Sequence, residues 1–166
     1  RSDLAEIYRA PNNPLIDRYV HSLRDAGAPA LQIPKGPEGG RPLLKHLRQG
    51  KIVAMLADQK LREGMPLQFF GQRAFTAHAG MQLSYKLGCP VLPASITRVD
   101  KYKFAIKVHP PIALPENIDG DEKAQVRAYA QSMNDWLEAQ VRAHPSEWFW
   151  LHDRWRAYNI RREDLA

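Results

Sequence analysis

The sequence predicts an α/β fold, a layered and mainly parallel mixed sheet flanked by helices, with an antiparallel hairpin near the C-terminal half. Two observations carry this. Short apolar runs alternate with stretches of helical periodicity in the order strand, helix, strand, helix, strand, helix, strand, strand, helix. The last two strands are separated only by Asp100-Lys101, which suits a tight antiparallel turn. The chain has 166 residues, 44% hydrophobic and 25% charged, the size and composition of one soluble domain with its own core. Residues 1–166 therefore read as a single domain.

Leu4 to Tyr8 is a short apolar-leaning strand ending at Arg9. Asn13 and Pro14 open a helix, the asparagine as cap for free amides and the proline at the first helical position. Leu15, Ile16, Tyr19, Val20 and Leu23 continue it at helical spacing to Gly27. Ala28 to Pro34 is a second strand. Lys35 to Gly40, KGPEGG, lacks the lysine–hydroxyl ending of a phosphate-cradling loop and reads as a loop before a helix from Arg41 to Gln49.

Ile52 to Ala57 is a continuous apolar run after Gly50, the pattern of a short buried strand. It stops at the polar pair Asp58-Gln59, and a basic, glycine-punctuated loop follows with Lys60, Arg62, Gly64, Gly71 and Arg73. Ligands of open α/β sheets bind beyond the carboxyl ends of strands, so this stretch is the first candidate site. Thr76 then caps a helix that Gly88 ends, with Ala77, Ala79 and Gly80 small enough for close approach in its first turn.

Val91 to Val99 and Tyr102 to His109 are the hairpin strands, the second alternating Phe104, Ile106 and Val108 with Lys103, Ala105 and Lys107. Asp121 opens the longest helix, reaching about Ala143, with Val126, Tyr129, Ala130, Met133, Trp136, Leu137, Gln140 and Val141 on one broad stripe. Pro145 starts a short helix carrying Trp148, Phe149, Trp150 and Leu151, read as packing aromatics.

No run of 18 apolar residues is present, and the opening RSDLAEIYR has no apolar signal region, which suggests a fragment or processed piece. The single cysteine, Cys89, excludes an internal disulfide and reads as a buried structural thiol. The net charge of +6 implies an acidic partner: nucleic acid, anionic lipid or acidic protein.

Several segments in order resemble the bacterial lipid A biosynthesis acyltransferases, the lauroyl and myristoyl transferases of the lysophospholipid acyltransferase superfamily. They are YRAPNNPLIDR (8–18), LLKHLRQGKIVAMLADQK (43–60), FFGQRAFTAHAG (69–80), GCPVLPASITR (88–98) and HPSEWFWLHDRWR (144–156). The resemblance implies a glycerol-3-phosphate-acyltransferase-like fold. It also implies acyl transfer from acyl carrier protein to a hydroxyl of a phosphorylated glucosamine disaccharide, at the cytoplasmic face of the inner membrane and without a cofactor or metal. The family's histidine base and its orienting carboxylate lie in a His-x4-Asp/Glu motif. None of His21, His46, His78, His109, His144 or His152 has Asp or Glu five positions onward. The resemblance places that motif, and a membrane-anchoring helix, upstream of Arg1. No catalytic residue is therefore expected within this chain, and without a base worth roughly 10²–10⁴-fold the chain alone is expected to be essentially inactive.

By resemblance, Arg9 faces an anionic substrate group, which a guanidinium binds bidentately. Asp58 and Gln59 match the family's polar pair beyond the central strand, where Asp58 orients Arg9 or bonds a substrate hydroxyl. Lys60, Arg62 and Arg73 are then cations for the phosphates or the carrier protein. Expected partners are acyl carrier protein, the phosphorylated lipid acceptor and the anionic membrane surface. Two other readings compete, a non-catalytic relative acting as a partner surface and a basic nucleic-acid-binding module. The cations are dispersed and no nucleic-acid motif accompanies them, so no nucleic-acid partner is expected.

Overall fold

The structure is a computed structural model that describes residues 3–27, 30–61, 63–116 and 120–155. Two compact units divide the chain, Arg1–Leu56 and Ala57–Ala166.

In the first unit, strands β1 (Leu4–Tyr8), β2 (Leu31–Pro34) and β3 (Ile52–Ala54) form a parallel sheet in the order β2-β1-β3. Helices α1 (Pro14–Gly27) and α2 (Pro37–Arg48) make the connections. The register sets Ala5 opposite both Leu31 and Val53, and Ile7 opposite Ile33, and buries Ala5 and Ile33. Asn13 caps α1 as expected, its Oδ1 accepting the Leu15 N–H at 2.9 Å. Of the second predicted strand, Ala28 and Pro29 lie outside the described residues.

Helix α2 starts four residues before the predicted Arg41 and takes in most of the glycine-rich segment. Pro37 suits the first turn because its missing N–H needs no partner there. Gly39 lets the helix lie against β2: a Cβ on it would stand 1.9 Å from the Pro34 carbonyl oxygen. His46 on the same helix is buried and bonds the Asp3 carbonyl at 3.0 Å. β3 is shorter than the predicted Ile52–Ala57, because only three residues pair with β1. Ala57 packs instead against the core of the second unit, to which it belongs.

The second unit is built on α4 (Glu122–Ala143), capped by Asp121, whose carboxylate accepts the Ala124 N–H at 3.0 Å. The predicted stripe is its buried face: Val126, Tyr129, Ala130, Met133, Leu137 and Val141. Against it packs a hairpin of β4 (Met65–Phe69) and β5 (Gln72–Thr76). This corrects the sequence reading, which took the segment as a loop. Met65, Leu67 and Phe69 alternate inward with Pro66 and Gln68 outward. Phe70 and Gly71 both take positive φ, 53° and 72°, the two-residue turn whose twist suits a hairpin.

Helix α3 (Ala79–Leu87) begins after His78, not at Thr76. Thr76 instead ends β5 with its side chain buried. Gly88 stops α3 in the left-handed conformation, as expected. Cys89 is free and half-buried, and its carbonyl accepts the Ser84 hydroxyl. Strands β6 (Ala94–Asp100) and β7 (Lys103–Val108) form the predicted antiparallel hairpin. Among the described residues after α4, only Pro145–Glu147 is helical, as one 3-10 turn, so Trp148, Phe149, Trp150 and Leu151 lie outside any helix. Trp148 and Trp155 pack on the Phe69 cluster, whereas Phe149, Trp150 and Leu151 are exposed. The α/β expectation holds: a parallel sheet flanked by helices, with antiparallel hairpins.

Candidate functional site

Arg9 follows β1 in the first unit, and its side chain is exposed. Just before it, the Tyr8 hydroxyl bonds His21 Nε2 at 2.9 Å, and the Tyr8 carbonyl accepts the Lys35 N–H at 2.8 Å. Arg9 thus leaves the sheet from an anchored position.

The other predicted residues belong to the second unit. Asp58 and Gln59 form a bend in which the aspartate is half-buried and the glutamine exposed. Ala57, packed on the Met65–Val126–Met133 cluster, fixes where that bend starts. Lys60 is half-buried and already engaged with neighbouring groups. Arg62 lies outside the described residues. Arg73 sits on β5 opposite Gln68, exposed and likewise engaged. Among the second-unit positions, the charge of Asp58 acts on a buried cation.

That cation is Arg154, which sequence reasoning missed. The residue is 0% exposed. Its Nη2 donates to Thr76 Oγ1 at 3.1 Å and Asn134 Oδ1 at 3.0 Å, and Asn134 Nδ2 donates to Thr76 Oγ1 at 2.9 Å. The guanidinium carbon stands 4.2 Å from the centroid of the Phe69 ring. Burial pushes Arg154 down to about 10, and the negative charge of Asp58 opposes the fall by favouring the cation. Thr76 and Asn134, its hydrogen-bond partners, are neutral. One sequence signal was available: Asn134 is a polar residue beside Met133 on an otherwise apolar stripe, and a buried amide calls for polar partners. Nothing one-dimensional marks Arg154 among the neighbouring charges of HDRWR.

His78, at the N-terminus of α3, lines a cavity of about 440 Å³ with Met65, Gln82, Asp121, Glu122, Lys123 and Val126. Two carboxylates at its rim make it a poor match for an anion. Among the described residues no group of three or more His, Cys, Asp or Glu is placed to hold a metal, and no helix is long and apolar enough to cross a membrane.

Comparison with known proteins places these features in context. The family model described as bacterial lipid A biosynthesis acyltransferase matches residues 1–157. No curated protein matches the chain.

Proposed function

The chain belongs to the bacterial lipid A biosynthesis acyltransferase family, and on that premise we propose that it moves a fatty acyl chain from acyl carrier protein to a hydroxyl of a phosphorylated glucosamine-disaccharide lipid precursor. The family match across residues 1–157 carries the reading, and it supports one acyltransferase domain over that range. Acyl transfer in lipid A biosynthesis is the general activity of the family. The donor, the acceptor and the roles of individual residues are the proposal's own.

Arg9 takes an anionic group of the acceptor, since its exposed guanidinium offers a planar fork of donors that matches two phosphate oxygens. Asp58 accepts a hydrogen bond from a substrate hydroxyl. Gln59 hydrogen-bonds beside it, and Lys60, Arg62 and Arg73 favour the phosphates or the acidic carrier by charge. The +6 net charge supports an acidic donor protein and the anionic cytoplasmic face of the inner membrane, where each cation near the surface is worth about 1 kcal/mol. None of the six histidines has a carboxylate five positions onward, so the proposal gives these residues binding roles and no base.

The test is acyl transfer by the natural full-length protein, with carrier-protein and coenzyme A thioesters as donors and the phosphorylated disaccharide lipid as acceptor. Transfer from the carrier thioester, lowered by Arg9→Ala and by Asp58→Ala, is the expected result. Near-normal transfer in both variants removes these residues from the site, and transfer only from coenzyme A overturns the donor.

A further inference from the structure

We infer that the β6–β7 hairpin is a docking surface for an anionic bilayer, an amphipathic ribbon that lies in the headgroup layer. It gives the membrane partner of the proposed function a place on the chain, and rests on that reading only for its functional consequence. The surface itself does not depend on acyl transfer.

The register puts Ala94, Ile96 and Arg98 on one face with Val108, Ile106 and Phe104, since cross-strand partners project to the same side. Ser95 and Thr97 lie on the other face with Lys107 and Ala105. In a sheet wet on one side, the apolar face is the covered one. Here the reverse holds. Phe104, Ile96, Val108 and Ile106 are 54, 59, 63 and 70% exposed, while Ser95 and Thr97 are half-buried. The base of the hairpin is anchored: the Ser95 hydroxyl bonds His109 Nε2 at 2.8 Å, and the His109 ring packs edge-on against Trp136 of α4. Beyond that base, no third strand joins either edge among the described residues. A two-stranded ribbon with an apolar face is marginal in water, so this face calls for a cover.

Charge selects the cover. Between Ala94 and Val108 stand Arg98, Lys101, Lys103 and Lys107 against Asp100 alone, a net +3. None of these four cations is ion-paired among the described residues, and the Asp100 carboxylate accepts the Lys101 N–H at 2.7 Å. The Arg98 guanidinium lies 4.4 Å from the Phe104 ring centroid and the Lys101 ammonium 5.3 Å from that of Tyr102, so cationic and apolar groups interleave. A second copy on this face would set +3 against +3. Tyr102, at the turn, is 82% exposed, so apolar surface runs along one flank and round the tip. That shape sinks into a soft layer rather than seating a rigid one. Lysine stems on a ribbon two strands wide reach past its edges to headgroup phosphates, while Ile96, Phe104 and Ile106 sit at the acyl boundary. Unpaired backbone groups along both outer edges keep the ribbon at that depth, because hydrocarbon cannot satisfy them.

The test is flotation of the 166-residue chain with vesicles of phosphatidylcholine alone and of phosphatidylcholine mixed with phosphatidylglycerol. Binding to the anionic vesicles is expected, roughly 30-fold weaker in Lys103→Gln/Lys107→Gln at about 1 kcal/mol per cation. Ile96→Ser/Ile106→Ser should abolish it. Arg41→Gln/Arg48→Gln removes the same charge from exposed positions on α2 and should bind as the wild type does. All six side chains are exposed, so folding survives, which far-UV circular dichroism checks. Equal weakening by the α2 pair means adsorption by net charge alone and overturns the inference, as does failure to bind anionic vesicles. Dimers in analytical ultracentrifugation that Ile96→Ser/Ile106→Ser abolishes, with no vesicle binding, overturn it in favour of a second copy. Vesicle binding, with no acyl transfer by the natural full-length protein, sinks the acyl-transfer reading and leaves the surface standing; transfer with no vesicle binding does the reverse.

Discussion

Asn134 and Thr76 meet in the interior of the second unit, the amide of one donating to the hydroxyl of the other across 2.9 Å. The amide also accepts from Arg154 at 3.0 Å and donates to the Gln68 carbonyl at 3.1 Å, so one side chain joins α4, both strands of a hairpin and the C-terminal segment. Asn134→Ala removes all three bonds and strips a buried cation of an acceptor. A loss of about 2–3 kcal/mol in urea unfolding is expected, above the ~1 kcal/mol of an ordinary hydrogen bond.

Helix α2 permits a test with an internal control. A Cβ on Gly39 would collide with the Pro34 carbonyl, while one on Gly40 meets nothing within 4 Å. Gly39→Ala should therefore cost about 3 kcal/mol through overpacking, and Gly40→Ala should be neutral or stabilising by up to ~1 kcal/mol through helix propensity. Paired thermal melts compare the two directly.

Glu138 makes the stability of the turn at Phe70 depend on acid. Its carboxyl is held below its usual 4.5, first by the Arg142 guanidinium and then by the Phe70 N–H. A depressed carboxylate contributes stability that is fully present above 4.5 and lost as pH falls through the lower folded value. Melting temperature followed from pH 7 downward should drop below 4.5 more steeply in the wild type than in Glu138→Gln.

The apolar residues of α4 and those of the segment after it differ in burial. Leu137→Ala empties a site in the Phe69–Val141 cluster and should cost about 2–4 kcal/mol. Leu151→Ala, at a position 84% exposed, should stay within ~0.5 kcal/mol. Equal losses in chemical denaturation would mean that the segment after α4 packs differently.

Patterns confined to one element were legible in the sequence. The Asn13 and Asp121 caps, the Gly88 stop and the stripe on α4 follow from local chemistry, and each stands where periodicity placed it. The β4–β5 hairpin was missed because the cations and glycines from Lys60 to Arg73 read as a loop, and its turn uses Phe70 at positive φ where asparagine or glycine is the usual signal. For the same reason Thr76 was read as a cap: a threonine after an apolar residue serves a strand end as well as a helix start. In the candidate site, Arg9 and Asp58 are visible by resemblance to a family. Arg154 has no such signal, because its importance comes from partners 20 and 78 positions away in the chain.

That 78-residue separation between Arg154 and Thr76 also has a consequence for synthesis. The β4–β5 hairpin lacks the stripe of α4 that covers much of its apolar face until that helix has been made, and its polar interior stays open until Arg154 follows. At typical elongation speeds of 5–20 residues per second, Thr76 waits roughly 4–16 s for Arg154 to be added. A nascent chain halted before residue 154 should thus be the species that holding chaperones bind.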